Sequence, residues 1–213
     1  MLNRKLFFCL LTAVPCLGLM AQTGQEWDNP QITSVNRELA HTVAIPMASE
    51  ADVATNDMTR SPYYQSLDGT WKFFWVNTPS KATADMCAAN YNDASWTNID
   101  VPSSWQVWGV QHGKSWDKPL YCNVAYPFSY DNQTFSVMAD RPGWFTYNSS
   151  MPNPVGTYRR TFTVPAAWSG RDIYVRFNGV GHGYYLWVNG QRVGYSEDSY
   201  LPSEFNITPY LTD

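Results

Sequence analysis

The chain has 213 residues, the size of one β-rich domain with a single core once a leader is set aside. Aromatic residues make up 16% of it, with ten Trp and fourteen Tyr, against only 15% charged residues, which argues against disorder and for a packed domain whose surface can meet apolar or sugar-like ligands. The net charge is −4 and there is no basic stripe, which disfavours nucleic acid as a partner.

Met1 to Ala21 reads "MLNRKLFFCLLTAVPCLGLMA": two positive charges, an apolar run and a small residue at the end, the layout of a secretory signal peptide cleaved after Ala21. Export to the periplasm or the exterior of a bacterial cell is the expectation. Pro15 and Gly18 interrupt the run and it is short for a bilayer, so no membrane span is expected. Cys9 and Cys16 leave with the leader, and Cys87 and Cys122 remain, expected as two thiols rather than one disulfide.

Residues 22–62 read as an extended arm and surface loop, polar and with little periodicity, and residues 63–213 as the folded domain. "SLDGTWKFFWV" opens on the turn pair Asp68-Gly69 and continues as a strand from near Thr70, with Trp71, Phe73 and Trp75 on one face as core. Residues 82–93 carry the only helical flavour, and "WTNIDVPSSWQ" reads as a short strand that Pro102 terminates. The stretch 128–156, rich in Pro, Gly, Asn and Ser, is read as either an ordered surface excursion or a mobile loop.

"GTYRRTFTV" alternates Tyr158, Arg160, Phe162 and Val164 against Thr157, Arg159, Thr161 and Thr163, and "RDIYVRFNGV" alternates Ile173, Val175 and Phe177 against Tyr174 and Arg176; both predict half-buried strands. "YYLWVNGQRVGY" places Asn189-Gly190 between two apolar runs, which predicts a type I′ hairpin because both turn residues need positive φ. Short strands with turns about every ten residues predict an all-β fold, an antiparallel β-sandwich of jelly-roll, galactose-binding-domain-like type with an extended N-terminal arm.

Five blocks now resemble a known family: "NPQITSVNRELAH", "SLDGTWKFFW", "VPSSWQVWG", "PLYCNVAYPF" and the run from Gly156 to Leu211. They are similar to the N-terminal sugar-binding domain of glycoside hydrolase family 2, and "GYSEDSYLPSEF" with the "NR…AH" and "PLYCNVAYP" blocks resembles its β-galactosidase branch. Two segments depart from that pattern by extra length, 112–119 and 132–154. The resemblance implies hydrolysis of terminal β-D-galactosides with retention by the longer enzyme. Its catalytic pair is expected in a (β/α)₈ barrel, which needs roughly 250 residues of its own, so no catalytic residue is expected in this chain.

"GYSEDSYLPSEFNITPYL" packs Glu197, Asp198 and Glu204 together. A retaining glycosidase needs two carboxyls about 5 to 5.5 Å apart across the scissile bond, whereas neighbours such as Glu197 and Asp198 point to opposite faces of an extended segment. Glu197 and Glu204 are read as solvated or turn-capping residues. The resemblance maps Asp198 onto a residue that touches galactosyl hydroxyls and helps ligate sodium, and Asn123 onto a second galactose contact; carboxylate and amide chemistry suit both roles. It further implies magnesium in the longer enzyme, the remaining domains as partners and a homo-oligomer contact through the arm. Trp105, Trp108 and Trp116 are packing residues first and a sugar-stacking platform second.

His41, His112 and His182 are scattered, with structural roles as the default, and Arg37 is expected to anchor the arm through an ion pair whose partner the sequence does not name. "FNGVGHGYY" has three glycines without the strand-turn-helix context of a phosphate loop and reads as a turn. The alternative to a piece of a β-galactosidase is a free-standing, non-catalytic carbohydrate-binding module.

Overall fold

The computed structural model describes residues 26–29, 31–117, 119 and 153–212. The leader, Asn123, Cys122 and nearly all of the 128–156 excursion lie outside the described residues. Among the described residues, eight strands form three small antiparallel sheets: β1 (Ser34–Val35), β7 (Gln191–Ser196) and β6 (Tyr184–Val188) in the order β1-β7-β6; β3 (Thr97–Val101), β2 (Gly69–Val76) and β4 (Val155–Arg159) in the order β3-β2-β4; and β5 (Tyr174–Phe177) beside β8 (Ser203–Asn206). The architecture is therefore mostly β, as the strand-and-turn spacing predicts. No described helix is long and apolar enough to cross a membrane.

The β6–β7 hairpin turns on Asn189 (φ 50°) and Gly190 (φ 79°), with Val188 opposite Gln191, the type I′ geometry that an Asn-Gly pair specifies. Its inner side chains, Val188 and Val193, cluster with Phe205 of β8 and with Ile173 and Ile207, which flank β5 and β8, and this apolar cluster joins the two sheets. The arm adds to the same sheet. β1 pairs Ser34 with Ser196 and Val35 with Tyr195, and Asn36, left-handed at φ 55°, then donates its side-chain amide to the Val193 carbonyl at 2.8 Å.

The second cluster surrounds β2, and both faces of that strand are covered. Phe73, 1% exposed, meets Tyr158 on β4 and the indoles of Trp105 and Trp116 on one side, while Phe74 stacks on Trp96 on the other. Of the three aromatics expected as core, Phe73 is buried and Trp71 and Trp75 are half-buried.

Two expectations need correction. The strand expected to run to Val164 stops at Arg159: the next residue, Arg160, turns its guanidinium onto the carbonyls of Leu67 and Asp68, and Phe162 is exposed. The helical signal was also misplaced. Residues 82–93 contain only a 3-10 turn over Ala84–Cys87; the α-helices among the described residues are a single turn in the arm, α1 (Glu50–Val53), and one of seven residues, α2 (Trp105–Gln111), which follows β3 where no helix was predicted. Trp105, Trp108 and Gly109 face inward at helical spacing, while Val107 and Val110 face water and blur the periodic signal.

Candidate functional site

β7 ends at Ser196, which is fully buried, and the chain turns through residues 197–201 before β8 begins at Ser203. Asp198 (φ 83°) and Tyr200 (φ 70°) are both left-handed, a conformation that Asp tolerates through local hydrogen bonding and that strains a bulky residue. Backbone bonds fix the turn: Leu201 N–H donates to the Asp198 carbonyl at 3.1 Å, Tyr200 N–H to the Val180 carbonyl at 3.1 Å, and Glu197 N–H to the Thr33 carbonyl of the arm at 2.9 Å.

The three carboxylates have three different surroundings. Glu197 accepts the Tyr195 hydroxyl at 2.5 Å, and that phenol, pushed up by burial and then by Glu197, stays protonated as the donor. Glu204 lies 3.0 Å from His41 Nε2 and 3.5 Å from Arg176 Nη1. Asp198 is held on Oδ2 by Arg37 Nη1 at 3.2 Å, yet its side chain remains 53% exposed. One nitrogen of Arg37 thus reaches three acceptors, since Nη1 also lies 3.0 Å from Ser196 Oγ and 3.1 Å from the Glu197 carbonyl. The partner missing from the sequence reading of Arg37 is this turn.

Glu197 and Glu204 are therefore occupied within the fold, while Asp198 presents a carboxylate oxygen that can accept from a hydroxyl or bind a cation. A hard cation needs several oxygens around it, and no group of three or more His, Cys, Asp or Glu side chains comes together among the described residues. The described residues alone do not build a sodium or magnesium site; Asp198 fits only as one ligand among others supplied from elsewhere.

Trp105, Trp108 and Trp116 are brought together on the β2 face. Trp116 meets Phe73 edge-on at 4.7 Å and lies nearly parallel to Trp108 at 5.6 Å, while His112 stacks on Trp108 at 3.7 Å. Much of their ring surface is spent on one another. Burial pushes the Asp117 carboxyl up; the neighbouring Trp105 indole N–H offsets part of that, although it makes no aligned hydrogen bond among the described residues. No hydrogen bond or ring contact among the described residues links this cluster to Asp198. Asn123 lies outside the described residues.

The mostly β fold agrees with what the chain matches. Residues 64–213 match the model of the family described as "Glycosyl hydrolases family 2, sugar binding domain", and the chain belongs to that family. It is 37% identical over 189 residues to a β-galactosidase of Priestia megaterium, covering 88% of this chain and 17% of that protein. It is 34% identical over 189 residues to a β-galactosidase of Vibrio cholerae, covering 89% of this chain and 16% of that protein. Among solved structures it is similar to a Bacteroides uniformis β-glucuronidase, with a TM-score of 0.44 and 22% identity over 70% of this chain and 13% of that one, a likeness too distant to bear on the site. The chain thus spans about a sixth of the length of the curated relatives it matches.

Proposed function

We propose that this chain is the N-terminal sugar-binding part of a β-galactosidase and that it supplies one wall of a galactose pocket whose catalytic carboxylates lie on other domains. The observation that carries the reading is Asp198: alone among the three carboxylates from Glu197 to Glu204, it is oriented from one side by Arg37 and open to solvent on the other. The relatives named β-galactosidase, at 34% and 37% identity, support the substrate class.

In this reading the three sheets are parts of one jelly-roll sandwich, with residues 22–62 as its arm. Asp198 accepts hydrogen bonds from galactosyl hydroxyls and gives one oxygen to a sodium ion completed by another domain. Asn123 donates to and accepts from the same sugar. A sodium ion there would add positive charge to the hydroxyl-binding wall; the chain's own part is to orient the sugar with a carboxylate held in place by the Arg37 guanidinium. Magnesium, where the longer enzyme holds it, belongs to residues outside this chain. Export follows from the Met1–Ala21 leader, which the N-terminal sequence of the secreted protein would check.

The test is made in the longer enzyme with an aryl β-galactoside. A hydrogen bond to a charged group contributes about 1.5 to 3 kcal/mol, so Asp198→Ala is expected to lower kcat/KM by roughly ten- to a hundredfold, with Asp198→Asn intermediate. Glu197→Gln is expected to leave it within about twofold, because that carboxylate faces Tyr195 and makes no substrate contact. Equal losses at Asp198 and Glu197 would reject the assignment.

A further inference from the structure

The glycine-rich loop before β6 is more than a turn. Gly179, Gly181 and Gly183 recur every second residue, and the missing side chain of each faces the segment from Tyr195 to Tyr200. A Cβ at Gly179 would lie 3.1 Å from the Tyr200 carbonyl oxygen and 3.2 Å from its Cα, and one at Gly183 would lie 2.9 Å from the Tyr195 hydroxyl. The approach is too tight for a side chain to enter without displacement at Gly179 and Gly183, while Gly181 has room for a methyl. The loop also bonds to the turn it approaches, through the Val180 carbonyl to Tyr200 N–H and through His182 N–H to Ser199 Oγ at 2.9 Å. From the opposite direction the arm brings in Arg37, 161 residues away in sequence, onto Ser196, Glu197 and Asp198.

Two left-handed residues, one a tyrosine, persist only where their surroundings over-determine them. Here a charged clamp and a glycine face supply that constraint, and the residue between them is Asp198. We propose that Arg37 and the close approach of Gly179 to the Tyr200 backbone are positioning elements for Asp198, setting the direction of its open carboxylate oxygen before any sugar arrives. This rests on the galactose-binding reading for its function, while the hold itself can be measured without it.

Amide hydrogen exchange on this chain reads the hold. Arg37→Met is expected to speed exchange at Tyr200 and Leu201 by about tenfold or more, while Phe73 in β2 stays within about twofold. Gly179→Ala, whose methyl meets the Tyr200 backbone, is expected to do the same; Gly181→Ala, whose methyl would lie 3.6 Å from the tip of the Tyr200 ring, is expected to leave the turn unchanged. Unchanged rates at Tyr200 and Leu201 in both Arg37→Met and Gly179→Ala would overturn the proposal, as would equal acceleration at Phe73. In the longer enzyme, Arg37→Met is expected to raise KM for an aryl β-galactoside about tenfold, with partial recovery in Arg37→Lys and no further loss when Asp198 is already Ala. Additive losses would overturn it. An Asp198→Ala enzyme with unchanged kinetics would sink the galactose reading, and the exchange rates would still decide whether the turn is held as described.

Discussion

Asp198, Glu197 and Glu204 lie within eight positions of one another, and chemistry separates them only through their neighbours. The expectation that Glu197 and Asp198 point apart assumes an extended segment, whereas Asp198 sits in a left-handed turn; nor does the sequence tell which carboxylate is spoken for, because Arg37, His41 and Arg176 arrive from distant segments. The scattered histidines likewise read as structural, and His41 shows why: Nδ1 lies 2.9 Å from the Thr42 carbonyl and Nε2 lies 3.0 Å from Glu204 Oε1. Both partners are acceptors, and only the imidazolium donates from both nitrogens. The Thr42 carbonyl first, and Glu204 second, hold His41 above the ordinary 6.5. Because the value is raised in the fold, this contact stabilises fully below about pH 6.5 and is lost as pH rises through the folded value. An NMR titration of His41 is expected to give a midpoint above 6.5, and Glu204→Gln to lower it. A midpoint at or below 6.5 would mean that the arm is not fastened here.

At the scale of elements, those fixed by local chemistry were legible. Asn189-Gly190 needs two positive φ angles and forms the turn it predicts; Pro102 follows β3 where it should; the alternation from Ile173 to Phe177 gives β5. What failed depended on contacts from outside the segment. β4 ends early because Arg159 is tied into the 86–93 segment, 3.0 Å from Asp93 and 2.7 Å from the Met86 carbonyl, and Arg160 departs toward Leu67. α2 escaped notice because two turns whose outward positions are valines carry little amphipathic contrast. That helix and β4 meet at Gly156, where a Cβ would lie 2.6 Å from both the Phe73 and Trp105 rings. Gly156→Ala is therefore expected to destabilise the fold by about 1 to 3 kcal/mol, read as a lower denaturant midpoint at unchanged slope. An unchanged midpoint would show that α2 is free to move off β2.

The whole molecule brings a sugar-binding family together with a chain that spans about a sixth of its curated relatives. The strand-rich pattern and the family blocks made that much readable. Neither the three-way division of the sheets nor the surroundings of the Trp cluster could be read, since both depend on which segments pack together. Glu197 and Glu204 are engaged with partners of their own, and the proposed reading places the acid/base and nucleophile pair on other domains. The purified 213-residue chain is accordingly expected to show no turnover of an aryl β-galactoside above buffer, and measurable hydrolysis would refute the division of labour proposed for it. The short arm strand has a consequence of another kind. An outer β-strand with bare carbonyls is an invitation to any loose strand in a crowded compartment. After two residues of pairing, Asn36 leaves the ladder but lends its side-chain amide to Val193 in place of a backbone donor. The side of β7 that faces the arm is thereby paired with very little chain, and the residue that follows, Arg37, travels to Asp198.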